Sequence, residues 1–170
     1  SARRSHCSVV PDDEGGGYTQ ARHLIELGHR RVGIVSLSPV LRATGLRGAG
    51  YRTAFAESGL FYDPTLEVPG FVTRPDGGED LVAFDATLGL LRRAERPTAI
   101  ICGNDQIAVQ VYAAAASLGL SVPDDLSVMG FDDMTIITRT LKPMLTSVAL
   151  PYFEIGRTAV ELLARINGES

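Results

Sequence analysis

Residues 97–133 decide the fold, and they read PTAIICGNDQIAVQVYAAAASLGLSVPDDLSVMGFDD. The short apolar run Ala99–Cys102 is typical of a buried strand. Asn104 and Asp105 suit the start of a helix, and small and branched apolar side chains then recur at helical spacing. A second apolar run follows over residues 126–131. A strand, a helix and another strand with short connections predict a parallel β-α-β unit.

The same alternation continues on both sides of this unit. Upstream, the pattern predicts a strand stub at residues 8–10, a helix over 16–27, a strand at Val32–Ser36, a helix over about 46–58, a weak strand within 67–72 and a long helix over about 78–93. Downstream, it predicts a strand at 146–150 and a final helix that ends at Ile166. We therefore expect an α/β fold with a doubly wound, mostly parallel sheet.

Composition limits the function classes. The chain has 170 residues, of which 45% are hydrophobic and 21% charged, and its net charge is −4. No apolar run approaches the roughly 18 to 20 residues of a membrane span, and no secretion signal opens the chain. The basic residues are scattered, whereas a duplex-binding face needs a basic stripe. Cys7 and Cys102 are too far apart in the sequence to suggest a zinc motif or a disulfide scaffold. We expect a cytoplasmic chain with no membrane partner.

Polar side chains follow the predicted strands at the points where the strands end. Arg47 comes in the helix after the strand Val32–Ser36, Asn104 and Asp105 follow the strand Ala99–Cys102, and Asp132 follows the next one. The carboxyl ends of parallel strands meet at one edge of the sheet, where ligands bind. The sequence therefore predicts a polar binding rim at this edge.

Catalysis and phosphate binding are alternatives for the same residues. Asp105 and Asp132 could form an acid–base pair of the glycosidase type, but an aspartate at a helix start is ordinarily ionised and structural. No activating base or cluster of metal ligands accompanies them. The glycines at 15–17 match no phosphate-binding motif, and close helix packing explains them better. We expect no enzyme activity, no metal and no cofactor.

Several strings closely resemble the LacI/GalR family of bacterial transcription regulators. They are DDEGGGY at 12–18, HLIELGHRRV at 23–32, RGAGYR at 47–52, PTAIICGNDQIA at 97–108, GLSVPDDLSVMGFDD at 119–133 and LTSV at 145–148. They follow one another in the family's order and cover essentially the whole chain.

The resemblance implies a two-lobed, periplasmic-binding-protein-like fold with the effector between the lobes. Residues 1–133 would form the C-terminal lobe of the effector-binding domain. Residues 134–170 would form a crossover segment and a helix that belong to the N-terminal lobe. The rest of that lobe and the helix-turn-helix head would lie outside this chain.

The resemblance also assigns candidate effector-binding residues. Arg47 matches the family's effector-contacting arginine, and Asp105 matches its effector-contacting aspartate. A guanidinium and a carboxylate complement vicinal hydroxyls, a carboxylate or a base edge. Alternatively, the two side chains pair with each other. Asn104 and Asp132 lie on the same rim, where each could instead cap a helix or shape a loop.

The family's stacking aromatic is less well matched. Val72 stands at its position, and Phe71 stands where an aspartate is usual. Phe71 could substitute for the aromatic if the register shifts by one residue. This departure weakens any expectation that a sugar stacks on this segment.

The resemblance implies a ligand-sensing domain of a LacI-type repressor. Its effector would be a sugar, a nucleoside or a similar polar metabolite, and it would reach operator DNA only through the missing N-terminal domain. A homodimer is expected. A periplasmic sugar-binding protein of a transport system is the alternative, and a sugar-processing enzyme is a third class that lacks catalytic residues.

Overall fold

A five-stranded sheet forms the centre of the larger of two units in the chain. The computed structural model describes residues 7–168. The larger unit runs from Asp13 to Ala149, and the second unit combines the described residues up to Asp12 with those from Leu150 onward. None of the helices within the described residues has the length and apolar character needed to cross a bilayer.

The larger unit alternates strands and helices. Its strands are β1 (Val32–Ser36), β2 (Glu67–Pro69), β3 (Phe71–Thr73), β4 (Glu79–Leu81), β5 (Ala99–Cys102), β6 (Ser127–Asp132) and β7 (Thr146–Ala149). Its helices are α1 (Asp13–Glu26), α2 (Arg42–Glu57), α3 (Ala83–Leu91), α4 (Asp105–Ser117) and α5 (Thr135–Thr138), and the second unit contains α6 (Tyr152–Ile166). The strand order is β2-β1-β5-β6-β7, and every neighbouring pair is parallel. The predicted fold class is confirmed.

Two hydrophobic cores cover the opposite faces of this sheet. Successive strand residues point to opposite faces, so Ile34 packs with α1 and α2 while Val35 packs with α3 and α4. Ile100 and Ile101 divide in the same way. Burial on both faces explains why all four residues of β5 are apolar and buried.

Glycines allow α1 and α2 to pack in direct backbone contact. A Cβ atom on Gly17 would lie 2.7 Å from the Arg47 Cα, and one on Gly50 would lie 2.5 Å from the Tyr18 amide nitrogen. Backbone atoms cannot yield at such distances, so both positions require glycine. The packing interpretation of the glycine run is therefore confirmed at Gly17, and this contact sets Arg47 against the first turns of α1.

The segment before α3 differs from the sequence prediction. A helix was predicted from about residue 78, but residues 71–81 form a separate antiparallel hairpin of β3 and β4, and α3 begins at Ala83. Gly77 adopts a φ of +83°, which favours glycine and permits the turn. The weak strand expected within 67–72 is likewise divided, because β2 joins the main sheet and β3 turns away to pair with β4.

The two ends of the larger unit also differ from expectation. The strand stub expected at residues 8–10 is absent from the described residues, because no neighbouring strand pairs with it. The unit extends beyond the expected boundary at residue 133, since β7 pairs with β6 as far as Ala149 opposite Asp132. The assignment of the chain after Ala149 to another lobe remains a prediction.

Candidate functional site

Arg47 lies buried at the carboxyl edge of the sheet and is held from three sides. Its Nε donates to Asp13 Oδ1 at 2.8 Å, and its Nη1 donates to the Gly103 carbonyl. The centre of the guanidinium lies 3.4 Å from the centroid of the Phe131 ring, a cation–π contact. Nη2 makes no hydrogen bond within residues 7–168, so Nη2 and the second N–H of Nη1 are the donors that remain open.

Asp105 does not pair with Arg47, so that alternative is wrong. Its Oδ2 accepts from the Met134 amide at 2.7 Å, and its Oδ1 accepts from Ser147 Oγ at 2.7 Å. Asp105 is 0% exposed, and burial raises the pKa of its carboxyl against the opposing effect of these two hydrogen bonds. Both oxygens are engaged, so Asp105 fastens the segment after β6 to β7.

The sheet leaves room for Asp105 at a single glycine. A Cβ on Gly130, in the middle of β6, would collide with Asp105 Oδ1 and lie 2.8 Å from Leu145 Cδ2. The absence of a side chain at Gly130 thus allows the carboxylate to reach its donors.

Asp132 is the open carboxylate of this edge. No hydrogen bond from residues 7–168 reaches its side chain, which is only partly buried. Burial raises the pKa of Asp132 to about 6; Arg47 opposes the shift, and the negative charges of Asp105 and Asp13 add to it. Asp132 and its neighbour Asp133 have φ angles of 110° and 53°, the region that favours glycine. Such strain is concentrated at functional sites.

Asn104 caps α4. Its Oδ1 accepts from the Ile107 amide at 2.9 Å, and its backbone is extended, as is usual for a residue at this position. This confirms the structural interpretation of Asn104 without testing whether its amide also contacts a ligand.

Phe71 and Val72 lie on the hairpin that follows β2. The hairpin is tied to the end of β1, because the Gly70 amide donates to the Ser36 carbonyl at 2.8 Å and the Val82 amide donates to the Gly70 carbonyl at 2.8 Å. Phe71 packs against the core, whereas Val72 is 46% exposed. Val72 is therefore exposed to solvent, and the aromatic Phe71 is not the side chain presented there.

Sequence reasoning missed three features of this site. By its sequence position Asp13 suits a turn or a helix cap, although an acidic residue just ahead of a glycine-rich helix could also have signalled an ion pair with Arg47. Phe131 ends the apolar run 126–131, which predicts only a place in a strand. Ser38, in the loop after β1, has a buried hydroxyl with no hydrogen-bond partner within the described residues, and no local pattern marks it.

A family model and several known proteins match most of this chain. Residues 21–170 match the family model described as a periplasmic binding protein-like domain. The ribose operon repressor of Haemophilus influenzae is 36% identical over 93% of this chain and 46% of the repressor. The chain thus spans about half the length of the curated relatives it matches.

Two solved structures show the same likeness. A LacI-family transcriptional regulator protein from Rhizobium etli superposes with a TM-score of 0.87 at 38% identity, over 99% of this chain and 60% of that one. The transcriptional regulator CelR in complex with cellobiose superposes with a TM-score of 0.80 at 33% identity, over 94% of this chain and 47% of that one.

Proposed function

Because the chain belongs to the periplasmic binding protein-like domains of the LacI/GalR family of transcription regulators, we propose that it is the effector-sensing part of such a regulator. It would bind a small polar metabolite such as a sugar or a nucleoside. The whole protein would reach operator DNA through an N-terminal helix-turn-helix, act as a homodimer in the cytoplasm and catalyse no reaction.

One observation carries the proposal. The open Nη2 of Arg47 and the open carboxylate of Asp132 lie in one electrostatically coupled cluster at the carboxyl edge of the sheet. This is the edge at which doubly wound sheets bind ligands. A donor and an acceptor in the same cluster suit a ligand that carries both kinds of group, as hydroxyls do.

The chain leaves the larger unit beside this cluster. Asp13, the first residue of the unit, bonds to Arg47, and Ala149, the last, lies opposite Asp132 in the β6–β7 register. A ligand on the rim would therefore act next to both connections to the rest of the protein. Differential contacts at such connections are what couple ligand binding to a change of state.

Within this proposal Asp105 has a structural role and does not contact the ligand. It keeps the segment after β6 in place, and Asp132 presents the free acceptor. Asn104, Phe71 and Val72 stay in the proposed site as residues of the same edge. A transport protein of the periplasm is the alternative, and the regulator is favoured because the relatives named above are transcriptional repressors and regulators.

Isothermal titration calorimetry on the full-length protein tests the proposal with a panel of sugars and nucleosides. For the panel member that binds, Arg47→Ala and Asp132→Ala should each weaken binding by more than about 2 kcal/mol, because each leaves a polar partner without a hydrogen bond. Asp105→Ala should weaken it as well, through displacement of Asp132.

The matched control is Arg74→Ala, which removes an exposed arginine of the hairpin. Its affinity should equal that of the wild type. Unchanged affinity in both Arg47→Ala and Asp132→Ala would refute the site.

A further inference from the structure

The charges of the proposed site do not balance. Arg47 contributes one positive charge, and Asp13 meets it at 2.8 Å with both side chains more than nine-tenths buried. Asp105 and Asp13 both raise the pKa of the partly buried Asp132 carboxyl by their negative charges, and Arg47 lowers it. One guanidinium therefore stands among three carboxyl groups.

The hydrogen-bonding edges of Arg47 are also partly used. A free guanidinium grips a phosphate or a carboxylate through two parallel N–H donors, either Nε with Nη2 or Nη1 with Nη2. Here Nε is bonded to Asp13 and Nη1 to the Gly103 carbonyl. The fork of Nε with Nη2 is therefore closed by Asp13, and one of the two N–H groups of Nη1 is taken by Gly103. Nη2 and the second N–H of Nη1 are left for a ligand.

An anion at this edge would meet a local field of the wrong sign. It would displace water from Asp132, which can donate nothing while ionised, and it would compete with Asp13 for a cation already paired. In a partly buried site such like-charge contacts are weakly screened. A hydroxyl or an amine faces no such opposition, since it can donate to Asp132 and a hydroxyl also accepts from Nη2.

We propose that this half of the site selects an uncharged or cationic effector over an anionic one, and that Asp13 is the residue that sets the preference. The inference rests on the proposed function, since it concerns the ligand of the same site. Asp13 is a positioning residue: it orients Arg47 through Nε and neutralises its charge without touching the ligand.

Paired ligands test the preference on the full-length protein by calorimetry. The probes are D-ribose against D-ribose 5-phosphate, D-glucose against D-glucose 6-phosphate, and adenosine against AMP. In any pair that binds, the neutral member should bind at least about ten-fold more tightly. Asp13→Asn keeps an oxygen for Arg47 Nε but removes the charge, and it should move this ratio at least about ten-fold toward the phosphate ester.

The matched control is Asp124→Asn, the same chemical change at an exposed turn ahead of the amino end of β6. It should leave the ratio unchanged. A tighter phosphate ester in the wild type, or a ratio that responds equally to Asp13→Asn and Asp124→Asn, would overturn the inference.

Inorganic phosphate provides a second arm that needs no identified effector. In ³¹P line-broadening titrations the wild type should not bind phosphate saturably, Asp13→Asn should, and Asp13→Asn with Arg47→Met should not. Phosphate binding by the wild type that Arg47→Met abolishes would overturn the inference, as would no binding by Asp13→Asn. If phosphate behaves as expected while every neutral probe in the panel fails to bind, the proposed ligand class is at fault and the charge preference stands.

Discussion

Polar side chains at the two edges of the central sheet differ in whether they have hydrogen-bond partners. At the amino edge the His29 ring bonds to Thr98 Oγ1 and to Ser127 Oγ, both at 2.9 Å. At the carboxyl edge Asp132 and Ser38 have side-chain oxygens without a hydrogen-bond partner among residues 7–168. Buried polar groups are ordinarily hydrogen-bonded within the protein, so the unpartnered hydroxyl of Ser38 and the partly buried carboxylate of Asp132 are what favour a ligand at the carboxyl edge.

Backbone strain follows the same division. The positive φ angles near the amino edge belong to glycines that close helices, Gly28 after α1, Gly59 after α2 and Gly119 after α4. The two non-glycine residues with positive φ in the described part of the chain are Asp132 and Asp133, at the carboxyl end of β6. A side chain is retained there at a conformational cost that glycine would avoid.

The largest effect should come from removing the positive charge of the carboxyl edge. Arg47→Met leaves Asp13 buried without its partner, and we expect the free energy of unfolding to fall by about 3–5 kcal/mol in urea titrations. The exposed Arg74, 47% accessible, makes two ion pairs, and Arg74→Met should cost less than about 1 kcal/mol. Adding Asp13→Leu to Arg47→Met should restore part of the loss; no recovery would contradict the buried-charge explanation.

A substitution at the amino edge should change the stability of the protein but not its affinity for effector. His29→Ala removes the link between the starts of β5 and β6 and should lower the free energy of unfolding by about 1–2 kcal/mol. The affinity for effector should stay at the wild-type value in calorimetry. If His29→Ala lowers the free energy of binding by more than the free energy of unfolding, the two edges do not differ in function.

Asn104 lies at the carboxyl edge, but its side chain has a hydrogen-bond partner, as the His29 ring does at the amino edge. Asn104→Ala removes the cap of α4 and should cost about 1 kcal/mol in thermal or urea unfolding. Asn104→Asp retains an accepting oxygen and should keep most of this stability. If both variants are equally stable yet bind effector differently, Asn104 belongs with the open groups.

Asp132→Asn should give the smallest change in stability, because water screens the partly exposed carboxylate. The folded pKa of about 6 lies above the unfolded value of about 3.9, so the folded state holds this proton more tightly. The wild type therefore loses stability as the pH rises through about 6, and the variant does not. The urea midpoint of the variant should match that of the wild type near pH 4 and exceed it above about pH 7; the opposite trend would show that Asp132 is stabilised as an anion.

The parallel sheet could be predicted from the sequence because its signals are local. The apolar runs of β1 and β5 are bounded by helix caps and turns, and the alternation with helices determines a parallel sheet. The hairpin of β3 and β4 could not be predicted, since Leu81 and Phe84 also fit helical spacing and the turn at Gly77 decides otherwise. The helix of residues 135–138 is too short to show a period.

The positions of the candidate residues could be predicted from the sequence, but their hydrogen-bond partners could not. Topology brings Arg47, Asp105 and Asp132 to one edge, and the order of the strands is enough to show it. Which carboxylate remains open depends on donors far away in the sequence, such as Ser147 for Asp105. Pairings of that kind depend on packing and carry no local pattern.

The position of the two ends of the larger unit has a practical consequence. Asp13 contacts Arg47, whose guanidinium stacks on Phe131, and Phe131 lies opposite Val148 one residue before the unit's last residue. An uninterrupted stretch whose entry and exit lie side by side can be spliced into a surface turn of an unrelated carrier without stretching either. Residues 13–149 are therefore the stretch to insert into a fluorescent host, whose emission would test whether a ligand at the rim is felt at both ends of the unit.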